Sequence, residues 1–471
     1  MGGACAPVLP ARWPRHGAAV ALLVALPALF GAAGCTMRHG SEPLRLWAMG
    51  REGEVVQQLI PGFEREHPEI RVQIQQIPWS AAHEKLLTAH VGHSTPDIAM
   101  LGNTWIAEFV ALRALEPLDP WLAESRTVAE SSYFSGIWDT NVIDGAVYGI
   151  PWYVDTRVLF YRRDLLERAG YDSIPGTWEA WTRAMEAVKR VSGGYAIFLP
   201  TNEYTPWIVF GLQAGSPMLR DRDSRGAFGG AAYRRAMNFC LDLFHRGLAP
   251  PVEGASIANV YQEFERGTFA MYITGPWQVG EFRNRLAPGV RWETAALPGP
   301  DGPTSGVSTA GGSSLVLFRR SRHKTQAWAL LEYLSRPERQ LEFYRLTGDL
   351  PARREAWRDT SLAHAPHFRA FAIQLQRTVS TPKIPEWEQV SMLLQEHVEA
   401  AVLGGVSIDS TLARLDRDVD RVLAKRRWLL ALKARHGGVG AARTTSGRGA
   451  SAGLATRIAD PPGPPGGAGM P

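Results

Sequence analysis

The sequence predicts an α/β fold, and three observations lead to it. Short apolar runs that read as strands alternate with longer stretches of helical period from Leu44 onward. Gly, Pro, Asn and Asp punctuate the changes of period. Two β-α-β units follow one another between Leu44 and Leu112.

The elements run in this order. Leu44 to Met49 reads as a strand, Glu54 to His67 as an amphipathic helix stopped by Pro68, and Ile70 to Ile77 as a strand with period-two alternation. A helix from His83 to Val91 ends at Gly92, Pro96 to Leu101 is a buried strand, and Trp105 to Leu112 is the next helix. After Tyr148-Gly149-Ile150-Pro151 come a strand at Val158 to Tyr161 and a helix at Arg163 to Ala169. Thr177 is placed as the N-cap of a helix ending near Val191. Later elements are a helix Ala231 to His245, strands Thr268 to Ile273 and Ser314 to Phe318, and helices Lys324 to Leu334, Arg336 to Leu346 and Ile408 to Leu430.

Both ends differ from this body. Arg12 and Arg15 precede an apolar run from Ala18 to Phe30 that closes on Ala32-Ala33-Gly34-Cys35, the pattern of an export signal over residues 1–34. The run is shorter than the roughly 20 residues a membrane span needs. A cysteine at the cut site points to lipid attachment at Cys35, although Ala32 stands where lipoprotein signals usually carry leucine. Ordinary secretion and a retained anchor are the alternatives, and all three place the folded part outside the cytoplasm. Residues 435–471 are rich in Gly, Ala, Ser and Pro and are expected to be a disordered tail.

Composition removes several classes. Beyond Cys35 the chain keeps only Cys240, on a helix beside Phe239 and Leu241, so it reads as a core residue and no disulfide framework is expected. The 51 Lys and Arg are dispersed among 46 Asp and Glu, with no basic stripe interleaved with aromatics, which argues against nucleic-acid binding. No phosphate loop, zinc helix or nucleophile elbow is present. His83, His90 and His93 share one helical face without a carboxylate cluster nearby, so they read as surface histidines and no metal or other cofactor is expected. Glu203, Asp155 and Glu386 are acids from which a glycosidase pair could be assembled.

Aromatic residues are in excess, with 16 Trp in the chain. Several sit beside Gly, Pro, Asn or Asp: Trp152-Tyr153, Tyr204 to Trp207, Gly275-Pro276-Trp277 and Pro385-Glu386-Trp387. A flat indole complements the C–H face of a pyranose, while neighbouring polar groups serve its hydroxyls. Trp79 and Trp105 each precede a helix and read as core. Asp155, in an otherwise apolar stretch, must be paired to be tolerated.

A family resemblance then emerges from an ordered series of motifs. They are Phe63-Glu64-Arg65-Glu66-His67-Pro68, Pro78-Trp79, Pro96-Asp97-Ile98, Leu101-Gly102-Asn103-Thr104-Trp105-Ile106 and Leu115-Glu116-Pro117-Leu118-Asp119. Tyr148 to Asp155, Leu159 to Leu166, Pro175-Gly176-Thr177-Trp178, Phe264 to Met271, Ala310-Gly311-Gly312-Ser313 and Gly348 to Arg353 continue it. Over about residues 44–427 the chain resembles the extracellular solute-binding proteins of ABC importers, in the sugar-binding group of maltose and trehalose receptors.

The resemblance implies a two-lobed periplasmic-binding-protein fold with a hinge and a ligand cleft between the lobes. The first lobe would comprise residues 44–153 plus 307–350, and the second 154–306 plus 351–427. It also implies ligand contacts from Glu54 and Asn103, from Tyr153 and Asp155 at a hinge crossing, from stacking Tyr204, Trp207, Trp277 and Trp387, and from the backbone of Gly311 and Gly312. Ser313 stands where close relatives carry a large aromatic. The expected function is capture of a neutral saccharide, a glucose-containing disaccharide such as trehalose or maltose being favoured, without chemistry. The expected partners are a permease with its ATPase and a membrane reached through Cys35, with the receptor itself a monomer. A secreted glycoside hydrolase and a receptor for a peptide are the competing classes.

Overall fold

The structure is a computed structural model that describes residues 42–432 apart from His364. The export segment, Cys35 and the tail at 435–471 lie outside the described residues. Among those described, no helix is long and apolar enough to cross a membrane.

Ten strands form two sheets: β1 (Leu44–Met49), β2 (Val72–Ile77), β3 (Ile98–Gly102), β4 (Gly149–Asp155), β5 (Val158–Arg162), β6 (Tyr195–Phe198), β7 (Phe269–Thr274), β8 (Trp292–Ala295), β9 (Gly311–Leu317) and β10 (Leu350–Pro351). The first sheet has the order β10-β4-β9-β3-β1-β2 and the second β8-β5-β7-β6. In the first, β1 is parallel to β2 and β3, while β9 runs antiparallel to β3 and β4. Residues of β3 before Gly102 are all buried, as its unbroken apolar run requires for a central strand. The edge strand β2 instead exposes Gln73 and Gln75 on one side.

The two sheets are joined where β4 ends and β5 begins. Asp155 still pairs with Gly311 in the first sheet and Val158 already pairs with Thr274 in the second, so the crossing occupies Thr156 and Arg157. The first sheet thus holds the chain through Asp155. A return crossing lies between β8 and β9, where Ser308–Thr309 pairs in parallel with Thr378–Val379. One apolar cluster fills the first sheet and continues through Phe160 and Phe198 on the second. The other holds Trp181, Phe210, Tyr233 and Leu415 beneath the helices of the second sheet, where Cys240 is buried and its thiol pushed up by burial.

Eight helices position the site: α1 (Gly50–Val55), α2 (Trp79–Val91), α3 (Trp178–Ser192), α4 (Thr205–Gln213), α5 (Trp277–Arg285), α6 (Pro337–Thr347), α7 (Trp387–Gly404) and α8 (Ile408–Val422). Thr177 does cap α3, its hydroxyl accepting from Ala180 N–H at 3.2 Å. Elsewhere the boundaries move. The helix expected over Glu54–His67 begins four residues earlier, as α1, and breaks into short pieces up to Glu66 with Pro61 in the last of them. Strand β9 begins three residues before Ser314, which brings Gly311 and Gly312 into the sheet. The final helix is interrupted at Leu423.

Candidate ligand-binding cleft

The carboxyl ends of β1 and β3 open onto a cavity of about 530 Å³ whose other wall comes from α4, α5 and α7. Ligands of open α/β sheets sit at such strand ends. Gly50 leaves β1 at φ +50°, and a Cβ there would lie 2.8 Å from Trp79 Cδ1, so glycine lets the chain turn under that indole into α1. The turn presents Glu52 to the cavity.

Two serines of β9 fix the residues beside it. Ser313 Oγ donates to Tyr153 Oη at 3.0 Å, and Tyr153 Oη donates to Glu52 Oε1 at 3.1 Å. Ser314 Oγ donates to Asn103 Oδ1 at 3.2 Å, while Asn103 Nδ2 is buried without a protein partner. Asn103 is 8% exposed and lines the cavity, so its amide offers a ready donor to a ligand. Gly312 lies at φ +115°, and a Cβ there would meet Tyr153 O at 2.3 Å. Only glycine lets β9 approach β4 this closely.

Asp155 has the partner its burial demands. Arg157 Nη1 donates to both carboxylate oxygens, at 2.7 and 2.6 Å, and the guanidinium lies 4.7 Å from the Trp277 ring centroid. Burial works against the charge of Arg157, and Asp155 and Glu203 more than offset it, so its pKa is raised. Across the cleft, Glu388 accepts from Thr104 Oγ1 at 2.6 Å and from Tyr204 Oη at 3.4 Å. Burial and then Glu388 push the Tyr204 phenol up to about 12. On the first sheet's side, burial and then Glu52 push the Asp349 carboxyl up to about 7.

The cavity brings together Asn103, Tyr153, Asp155, Tyr204, Trp277, Gly311, Gly312 and Trp387. It does not include Glu54 or Trp207. Glu54 is exposed and sits 3.9 Å from Arg51, whereas Glu52 lines the cavity. Trp207 lies inside α4, 2% exposed and stacked on Phe244 at 6.1 Å, so it is a core ring. Trp152 is likewise buried, stacked on Phe343 at 4.2 Å. Conversely Trp79 and Trp105, which read as core, line the cavity edge to face at 5.8 Å. Asp349 and Glu388 are lining residues that the sequence reading left without a role. His83 is engaged by Glu108 at 2.6 Å, and among the described residues no group of three His, Cys, Asp or Glu could hold a metal.

Two sheets joined by extended crossings, with a polar and aromatic crevice between them, define a two-lobed ligand-binding protein. The family model for bacterial extracellular solute-binding proteins matches residues 49–341, and the chain belongs to that family. Among solved structures, it is similar to the sugar-binding protein MalE of the phytopathogen Xanthomonas citri, at 47% identity and a TM-score of 0.81, covering 83% of this chain and 99% of that one. A putative binding protein of Brucella abortus is 24% identical over 380 residues, 80% of this chain and 91% of the relative. The galactooligosaccharide-binding protein of Bacillus subtilis is 25% identical over 367 residues, 74% and 82% of the two chains.

Proposed function

We propose that this protein is the substrate-binding receptor of a carbohydrate ABC importer, capturing a neutral mono- or oligosaccharide between its lobes and delivering it to a membrane permease driven by an ATPase. A glucose-containing disaccharide such as trehalose or maltose is the favoured ligand. The observation that carries this reading is the cleft itself. Exposed Trp277, with Trp79 and Trp105, offers ring faces, while Asn103 Nδ2 and the carboxylates of Glu52 and Glu388 offer hydrogen-bond partners to hydroxyls. Likeness to the sugar-binding protein MalE supports the same ligand class.

The remaining assignments belong to this reading. Residues 44–153 plus 307–350 form the first lobe and 154–306 plus 351–427 the second, and ligand contacts come from Asn103, Tyr153, Asp155, Tyr204, Trp277, Gly311, Gly312 and Trp387, with Glu52 in place of Glu54. The receptor works as a monomer without catalysing a reaction, held at a membrane through acylated Cys35 and facing the periplasm or cell exterior. Thermal-shift measurement of the chain from Thr36 onward against a sugar panel tests the function. Trehalose, maltose or a related glucoside raises the melting temperature, by an amount equivalent to about 2.7 kcal/mol at a hundredfold excess over Kd. Trp277→Ala abolishes the shift; an unchanged shift in that variant refutes the assignment.

A further inference from the structure

Charge is unevenly placed around the cleft. Its lining carries the carboxylates Glu52, Asp155, Asp349 and Glu388 against one cation, Arg157. That cation is already engaged, by both oxygens of Asp155 and by the face of Trp277. Glu52, Asp349 and Glu388 therefore face the cavity with no free lining cation opposite them. Each carboxylate has about four lone-pair sites, and the protein hydrogen bonds to Glu52 and Glu388 come from Tyr153, Thr104 and Tyr204. Acceptor capacity thus remains on the cavity side. The buried donors of the lining without a protein partner are Asn103 Nδ2 and Arg157 Nε, and Asn103 is more than nine-tenths buried. A ligand must therefore supply more donors than acceptors at the Glu52 end.

We propose that the cleft is a charge filter, admitting saccharides that are neutral or carry a protonated amine, excluding those that carry phosphate or carboxylate, and receiving the amine between Glu52 and Asp349. This inference rests on the saccharide-receptor reading and names its substrate class further. A hydroxyl or ammonium donates to these carboxylates. A phosphate brings only acceptors at neutral pH and meets like charge after losing its hydration.

The groups that face Asp349 are Glu52 and Arg51 from α1, Asp155 from β4, the Tyr153 phenol and the Thr347 hydroxyl. Arg51 offsets the pair only in part: its charge is the weakest of the influences on Asp349, and it is exposed, with Nη2 donating to Leu346 O at 3.1 Å and Nη1 lying 3.9 Å from Glu54. With its carboxyl near 7, Asp349 is neutral in mild acid and charged in mild base. Recognition of an amine therefore strengthens as pH rises through neutrality.

The test is calorimetric titration of the chain from Thr36 onward with trehalose and maltose, their 6-amino-6-deoxy analogues and their 6-phosphates. The phosphates should bind at least about 30-fold more weakly than the parent sugars. The amine analogues should bind at least as tightly as the parents, and their advantage should grow between about pH 5.5 and about pH 8. Asp349→Asn and Glu52→Gln should each reduce the amine-to-parent affinity ratio about tenfold. A phosphate that binds within about threefold of its parent, or an amine advantage indifferent to both substitutions, overturns the filter while leaving the receptor intact. Failure of every sugar, charged or neutral, overturns the receptor reading and the filter with it.

Discussion

Replacing Asp349 by Asn should make the protein more stable in mild base and leave it unchanged in acid. Asp349 follows Gly348, the left-handed cap of α6 at φ +87°, and is half-buried at the cavity wall. Burial and then Glu52 move its carboxyl from 3.8 to about 7 in the folded chain. A folded-state pKa above the unfolded value means that the native protein holds the proton more tightly. That contribution is full below the unfolded pKa and is lost as pH rises from about 4 to about 7. At about 1.4 kcal/mol per pKa unit, the ionised carboxyl costs at most about 4 kcal/mol at pH 8. Cleft water reaches the side chain, so about 2 kcal/mol is the lower expectation. Asn keeps the shape and removes the charge. With an unfolding entropy of about 2 cal/mol/K per residue, spread over residues 42–432, the gain corresponds to a rise in Tm of roughly 3–5 °C. Scanning calorimetry of ligand-free wild type and variant at about pH 3.5 and about pH 8 reads it directly. Equal Tm values at the higher pH, or the same gap at both, would refute the argument that burial beside Glu52 strains this carboxyl.

Two further substitutions separate core from cleft. Trp207→Ala should cost about 3–5 kcal/mol of stability, the usual loss for a large buried ring, while ligand titration of the folded fraction gives the parent Kd; a selective loss of affinity at unchanged Tm would restore Trp207 to the ligand. Gly312→Ala should cost more than about 1 kcal/mol, since it needs a strained φ and displaces β9 from Tyr153 O. Affinity should fall together with the melting temperature, and a variant with parental values of both would show that the close approach at Gly312 is dispensable.

The strands were the most legible part of the sequence because their patterns are local. Leu44 to Met49 is apolar enough to sit between two neighbours, and its limits are reproduced to the residue. Asp155 was legible for a different reason, since a carboxylate among Val154, Val158 and Leu159 needs a cation, and Arg157 supplies it two residues away. Glu54 was missed through helix phase. Residues two apart on a helix point about 200° apart, and because α1 starts at Gly50 rather than Glu54, the cavity face falls on Glu52. Trp207 was missed because the turn signal of Pro206 lies within the first turn of α4, which points the following indole into the core.

Trp79, Trp105, Asp349 and Glu388 illustrate a harder limit, because no local pattern distinguishes a ring or carboxylate that faces a partner lobe from one on an ordinary helix end. Their roles depend on the crossings, which bring distant segments to one place. The backbone N–H of Arg157 donates to Ser308 Oγ at 3.1 Å, joining the outgoing crossing to the return segment. Its guanidinium reaches Asp155 on the first sheet and Trp277 at the start of α5. Thr104, after β3, reaches Glu388 on α7. Any rotation of one sheet against the other about these crossings must therefore change the spacing of Trp277 and Glu388 from Asn103 and Glu52. A ligand touching Asn103 and Glu52 on one wall and Trp277 and Glu388 on the other would favour one spacing of the two walls over the rest, and only through that differential contact could occupancy of the cleft bias the angle between the lobes.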